Sequence, residues 1–474
     1  MSYLIGVIIM ADVTVLNLGK TPTRTVLKLS WPAIVEQFLI SMASLIDTAM
    51  VGSLGPNATA AVAINISTIW LLEGLSTALS AGFMYVVAHS LGERNTHYAK
   101  RAVRQSITSA LVLGTAIMLL VELIAPFLCI WLGGEKAIYS SARSYLTIIG
   151  FGAIFKSLTI VLSSVLRAAG NTKTPLRINI AANLINIIGN FMLIYSTRQI
   201  VIGQHSFNVW GAGLGVSGAA TSTAFSQFVS GMLLLTALYR VNTPIKLKIK
   251  GDYRLSKKLI SKVISISIPV AMERVTICLG QIVLTRIISS VGTIALAVHQ
   301  LVNQCESMMY LPAYGFAASG TTLIGQSIGA SDMKKADEFA KILFIVNTIF
   351  IACLCIPIFI FARQIMTLFT PSAETIALGD IALKITAATE VLFSLTVVMG
   401  GICRGSGDVK FPLFLSLGGM WIIRLIPAYI FANVLGFGVI GVETAIGIDV
   451  SIRGLICIIR LKSGKWKPKF QQTA

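Results

Sequence analysis

Charge is what this chain of 474 residues has least of. Asp, Glu, Lys and Arg make up 12% of it, about half the share found in soluble domains. So few charges could not cover the surface of a soluble fold. A hydrophobic fraction of 55% likewise excludes a disordered chain. Acids are the scarcer sign, 19 against 38 basic residues. Histidine occurs four times, at His89, His97, His205 and His299, with no ligand spacing, so no metal site is expected. The seven cysteines (Cys129, Cys278, Cys305, Cys353, Cys355, Cys403 and Cys457) lie in or beside apolar runs and are read as small packing residues. The chain has no GxxxxGK[ST] phosphate loop, no selectivity-filter sequence and no HExxH. These absences argue against an ATP-driven pump, an enzyme and a catalytic site, and no cofactor is expected. No zinc-finger or helix-turn-helix pattern accompanies the net charge of +19, so nucleic acid is not expected as a partner.

What is present is a series of long apolar runs. Crossing the hydrocarbon takes about 20 mostly apolar residues per helix. Twelve stretches qualify: 29–53, 59–88, 105–132, 143–166, 175–197, 212–239, 260–289, 295–325, 340–362, 377–402, 412–435 and 438–461. A further patch, Tyr3 to Met10, is too short to span and reads as an extra start or an interfacial segment. Lys and Arg gather at the N-terminus, in the C-tail and in the loops after even-numbered spans, and are sparse after odd-numbered ones. That asymmetry places both termini in the cytoplasm of a multi-pass protein of the cell membrane, with the bilayer as its partner.

The chain also repeats itself. SWPAIVEQ (30–37) matches SIPVAMER (267–274), AHSLGERN (88–95) matches GQSIGASD (325–332), and LRAAGNTKTPL (166–176) matches CRGSGDVKFPL (403–413). All three pairs share an offset of 237 residues. GVSGAAT (215–221) matches GVIGVET (438–444) at a shorter offset, because the preceding loop is shorter. Six spans per repeat is an even number, so both halves enter the membrane in the same sense, as parallel repeats. The expected fold is an all-α membrane protein of twelve spans. Its organisation is a cytoplasmic segment (1–28), a six-helix lobe (29–240), a basic linker (241–258), a second six-helix lobe (259–461) and a basic tail (462–474). Two parallel lobes fit a secondary transporter, and a monomer is expected.

The same motifs carry a resemblance. WPAIVEQ (31–37) with LIDTAMVGSLG (45–55), LRAAGNTKTP (166–175), AVHQ (297–300) and RGSGDVKFP (404–412) resemble multidrug and toxic compound extrusion (MATE) transporters of the NorM and DinF type. The likeness runs from about Ser30 to Arg460. It implies a V-shaped pair of six-helix bundles around a cleft. It also implies export of organic cations and other amphiphiles, driven by inward flow of protons or sodium ions.

A carboxylate in hydrocarbon costs about 2.5–3.5 kcal/mol on insertion scales, so each intramembrane acid needs a partner, a wet cavity or a task. Asp47 lies in span 1 with no other charge from Phe38 to Ile46. In proteins that the DTxxVG context resembles, this aspartate is the main ion-coupling acid. Its repeat counterpart is Leu284, which confines that acid to the first lobe. Asn186 and Asn190, four apart, share a face of span 5. The family pattern has Asp at the second position, and the missing carboxylate favours protons over sodium as the coupling ion. Thr221 or Thr223 is expected to complete the polar cluster. Glu36 and its repeat partner Glu273 suit a secondary ion or substrate role or a structural bond to a neighbouring helix end. Glu390 in span 10 is a further second-lobe acid, and Glu273 with Glu390 is one way to replace the second-lobe cation site of NorM-type proteins. That site would fall on Ile277, Thr389 and Phe393, none of which is acidic. Lys156 in span 4 needs an acid, either Glu73 or Glu122. Arg167, Lys173, Arg404 and Lys410 sit at cytoplasmic span ends and read as topology anchors.

Two competing functions remain compatible with this layout. One is a flippase for a lipid-linked saccharide, which the few intramembrane arginines (Arg274, Arg286, Arg424, Arg453) argue against. The other is a membrane scaffold or channel that transports nothing against a gradient.

Overall fold

The computed structural model describes residues 21–202, 205–248 and 250–468. The Tyr3–Met10 patch, most of the 1–28 segment and the end of the basic tail lie outside them. The described chain folds into twelve long helical rods. They are α1 (Pro22–Gly52), α2 (Pro56–Gly92), α3 (Thr96–Trp131), α4 (Tyr139–Ala168), α5 (Lys173–Leu193), α6 (Gly215–Arg240), α7 (Lys257–Val291), α8 (Thr293–Gly329), α9 (Met333–Ile360), α10 (Ala373–Ser406), α11 (Lys410–Val434) and α12 (Gly438–Ser463). Ten of them are long and apolar enough to cross a membrane. The other two, α8 and α12, are diluted by polar residues, and α12 carries Glu443, Asp449 and Arg453 within three turns. Large apolar side chains such as Leu119, Leu123, Phe414 and Ile459 stand exposed on these rods. Helices that are apolar on every side belong in lipid.

The repeat is written into the backbone. Arg94 and Ser331, at equivalent places after α2 and α8, both take φ 58°. Side chains rarely accept that left-handed geometry, so its recurrence marks one turn built twice. Gly170 and Gly407, after α4 and α10, take φ 83° and 87°, where glycine alone is unstrained. The halves diverge between α5 and α6. There the first half inserts an antiparallel hairpin, β1 (Ser196–Ile202) paired with β2 (His205–Ala212), where the sequence suggested only a loop. In the second half, α11 is not uniform: Gly419–Leu425 and Ile430–Val434 are wound as π-helix around a short α-turn containing Pro427.

The chain forms two compact units. One holds residues 38–87 and 96–264, and the other holds 21–37, 88–95 and 265–468. The N-terminal half of α1 and the C-terminal end of α2 therefore belong with the second half of the chain. There they pack at glycines: a Cβ on Gly92 would meet the Gln326 carbonyl at 2.2 Å, and one on Gly315 would meet the Ile34 backbone at 2.7 Å. The linker is not a loose tether. Val241 and Ile245 are fully buried. Thr108 donates to the Tyr253 carbonyl at 3.0 Å, and the Ser256 N–H donates to Gln105 Oε1 at 3.1 Å. The described part of the tail is likewise pinned, with Trp466 buried and Lys467 2.9 Å from Asp337.

Candidate functional site

The first unit holds one polar cluster on α1, α5 and α6. Asn190 Nδ2 donates a short hydrogen bond to Asp47 Oδ1. One turn back on the same face, Asn186 Nδ2 donates to Thr223 Oγ1 at 3.2 Å, and Ser222 Oγ donates to the Asn186 carbonyl at 2.7 Å. Asn183 continues the row, its amide 3.3 Å from the Leu39 carbonyl. Spacings of three and four residues stack these amides along α5, so α1 and α6 meet a ladder of neutral donors. Asn190 is fully buried, and its own Oδ1 has no hydrogen-bond partner among the described residues. Asp47 is partly exposed, and Tyr145 of α4 lies within electrostatic reach of it. The C-terminal end of α1 is fixed by Tyr195, whose hydroxyl bonds Ser53 at 2.8 Å and the Met50 carbonyl at 3.2 Å.

Of the two threonines considered for this cluster, Thr223 joins it. Thr221 does not, because its hydroxyl donates to the Ser217 carbonyl at 2.8 Å. Residues two apart on a helix point to different sides, so one of the pair had to face elsewhere. Glu36 belongs to the second unit, where it is buried. Lys156 finds Glu73, 3.2 Å away, rather than Glu122, whose Oε1 is buried with no hydrogen-bond partner among the described residues.

The second unit does not bring Glu273 and Glu390 together. Glu273 takes a 3.5 Å hydrogen bond from Ser416 and lies 4.0 Å from Arg404, so Arg404 is more than a topology anchor. Glu390 is buried on α10, its Oε1 without a hydrogen-bond partner among the described residues, and its charged neighbours there are Glu306 of α8 and Arg424 of α11. Around them lies a polar core that the sequence reading missed. His299 Nδ1 is 2.7 Å from Glu443 Oε1. Asp449 is gripped by Arg424 at 2.8 Å and by Arg453 at 2.6 Å. A signal for part of it was available: Asp449 and Arg453 are four apart within one apolar span, the spacing of a helical ion pair. Nothing local linked His299 to Glu443, which lie on different helices. Among the described residues no group of His, Cys, Asp and Glu is arranged to hold a metal ion.

The twice-built six-helix plan matches known proteins. The MatE family model matches residues 32–192 and 269–430, once in each half. An uncharacterized transporter of Bacillus subtilis, YisQ, is 28% identical over 96% of this chain and 98% of its own length. A probable multidrug resistance protein NorM of Thermotoga maritima is 24% identical over 94% of this chain and 93% of its own. The fold is that of a solved MATE protein in complex with MaD3S, with a TM-score of 0.87 at 20% identity over 96% of this chain and 100% of that one. Both halves of the family model fall on the two repeats read from the sequence, and the chain is accordingly a member of the MATE family of membrane transporters, not an enzyme.

Proposed function

We propose that the protein is a secondary antiporter that exports cationic or amphiphilic small molecules in exchange for protons, by alternating access of its two lobes, with Asp47 as the coupling acid. The observation that carries this reading is the partner of Asp47: a neutral amide, Asn190, with no cationic side chain bonded to it among the described residues. A carboxylate held that way can be neutralised by a proton or by a cationic substrate, one at a time. Mutual exclusion at a shared acid is the linkage that exchange requires. A sodium ion would call for several hard oxygen ligands, and here the position that would supply a second carboxylate is Asn190. The excess of Lys and Arg in alternate loops supports a cell-membrane orientation with both termini in the cytoplasm. A flippase for a lipid-linked saccharide is disfavoured because Arg424 and Arg453 are buried and held against Asp449 rather than free to meet an anionic headgroup.

The test is transport of a fluorescent cationic dye by the purified chain in proteoliposomes under an imposed proton or sodium gradient. Proton-driven efflux against the dye gradient is the expected result. Efflux that follows only the sodium gradient would move the coupling ion to sodium, and dye flux indifferent to both gradients would remove the antiport reading.

A further inference from the structure

Arg274 stands midway along α7, inside a membrane span of the second unit. An ionisable group at that depth is costly and calls for a partner or a task. Its electrostatic neighbours are Tyr314 of α8, the adjacent Glu273, and Cys278. Glu273 is not a counter-ion for Arg274 alone, because that carboxylate takes the Ser416 hydrogen bond and lies 4.0 Å from Arg404. Adjacent residues also point to different sides of a helix. Glu273, Arg274 and Arg404 together therefore carry one surplus positive charge.

The fold itself does not need this charge. At the repeat offset of 237 residues, Glu36 aligns with Glu273, Arg167 with Arg404, and Gln37 with Arg274. The first half is built on the same plan with a neutral amide where the second has a guanidinium. What surrounds the extra charge is aromatic. Its Cζ lies 5.8 Å from the centre of the Tyr314 ring, within the range of a cation–π contact. Tyr310 meets Tyr314 edge-on at 6.0 Å and Phe393 of α10 at 5.6 Å, the spacing of favoured aromatic pairs. All four side chains are partly exposed, so the guanidinium and the rings beside it can be reached.

We propose that Arg274, Tyr310, Tyr314 and Phe393 form a recognition site for amphiphiles that carry an aromatic body and one carboxylate. The carboxylate accepts two hydrogen bonds from the guanidinium fork, and the aromatic body packs on the three rings. A surplus of one positive charge selects a monoanion. A cation is repelled there, and a neutral ring gains packing alone. A lipid diphosphate brings more negative charge than one guanidinium can pair, and unpaired charge is costly in a site of low dielectric. The role of the site in export rests on the amphiphile antiport proposed for this chain and names one class among its substrates. Equilibrium binding needs no gradient, so failure of the site would leave ion-coupled efflux standing, and failure of efflux would leave the site standing.

The experiment uses the full chain in nanodiscs of phosphatidylcholine, whose headgroup carries no net charge. The probes are dansylglycine, an aromatic monocarboxylate, and dansylglycinamide, its neutral counterpart, followed by fluorescence polarisation against empty discs. Dansylglycine is expected to bind at least about tenfold more tightly than the amide, the scale of one charge-assisted contact. Arg274→Gln installs the residue that the first half carries at the aligned position. It should lower dansylglycine affinity by about the same factor and leave binding of the amide unchanged, which separates lost recognition from lost folding. Tyr314→Leu removes a ring that both dyes use and should weaken both alike. Equal affinity of the wild-type protein for the two dyes would overturn the proposal. So would an equal fall for both dyes in Arg274→Gln, the mark of a structural arginine, or undiminished binding of both by Tyr314→Leu. Displacement of dansylglycine by farnesyl diphosphate at lower concentration than by naphthylacetate would assign the site to a phosphorylated lipid instead and overturn it as well.

Discussion

Asp47 and Asp449 are both aspartates in the membrane region, and their neighbours give them opposite properties. Asp47 has one neutral donor and stays partly open. Replacing it by Asn preserves shape and some hydrogen bonding but removes the group that can change charge. We expect Asp47→Asn protein to fold, to melt close to wild type and to lose gradient-driven dye efflux in proteoliposomes. Asn190→Ala should reduce efflux less, because the carboxylate remains. Wild-type efflux by Asp47→Asn would pass the coupling role to another acid, Glu390 being the first to examine because its Oε1 is buried and unbonded. Asp449 is fully buried between two guanidinium groups. Removing one partner of such a group leaves uncompensated buried charge and costs about 3–5 kcal/mol. Asp449→Asn should therefore lower the melting temperature in detergent far more than Asp47→Asn does, and a melting point equal to wild type would show that the guanidinium groups find other partners.

The helices that matter most carry local features with identifiable causes. In α11 the π-helical turn places Arg424 on Asp449, and the backbone at Gly419 runs so close that a Cβ there would lie 2.4 Å from Arg453 Cδ and 2.6 Å from Asp449 Oδ1. Gly419→Ala should destabilise the protein by pushing that pair apart, although alanine favours helix over glycine by about 1 kcal/mol. A melting temperature equal to or above wild type would show that the pair tolerates displacement. The turn after α8 offers the converse test. Ser331 sits at φ 58°, a conformation that costs a side-chain-bearing residue roughly 1–2 kcal/mol. Ser331→Gly relieves it at the expense of a more flexible unfolded chain. We expect no loss of thermal stability, and a fall of several degrees would mean that the serine hydroxyl contributes more than the backbone strain costs.

At the scale of the whole molecule, the repeat and the charge asymmetry make one topological prediction. With the native cysteines replaced, a cysteine introduced at Asp252 should react with a membrane-impermeant maleimide only after the cells are opened, whereas one at Ser372, before α10, should react in intact cells. The reverse pattern would invert the proposed orientation and with it the direction of transport. The linker should also resist proteolysis near Val241 and Ile245, because those side chains are buried and the segment is hydrogen-bonded to α3. An account in which the linker swings freely does not suit such packing.

The sequence by itself determined the class, the twelve spans and the twofold repeat, since each rests on local quantities: apolar run length, loop charge and residues recurring at a fixed offset. It also placed Asn186 and Asn190 on one face of α5, because four-residue spacing fixes a helix face before any packing is known, whereas Asp47 was singled out by the resemblance its DTxxVG context carries. Only the tertiary structure decided which polar groups meet. It chose Thr223 over Thr221 and Glu73 over Glu122, separated Glu273 from Glu390, and gathered Glu306, His299 and Glu443 into a second-unit core. Partners on different helices are selected by the rotation and depth at which two rods pack. A one-dimensional pattern fixes the face that a residue shares with its own helix, but not the face that the neighbouring helix turns toward it.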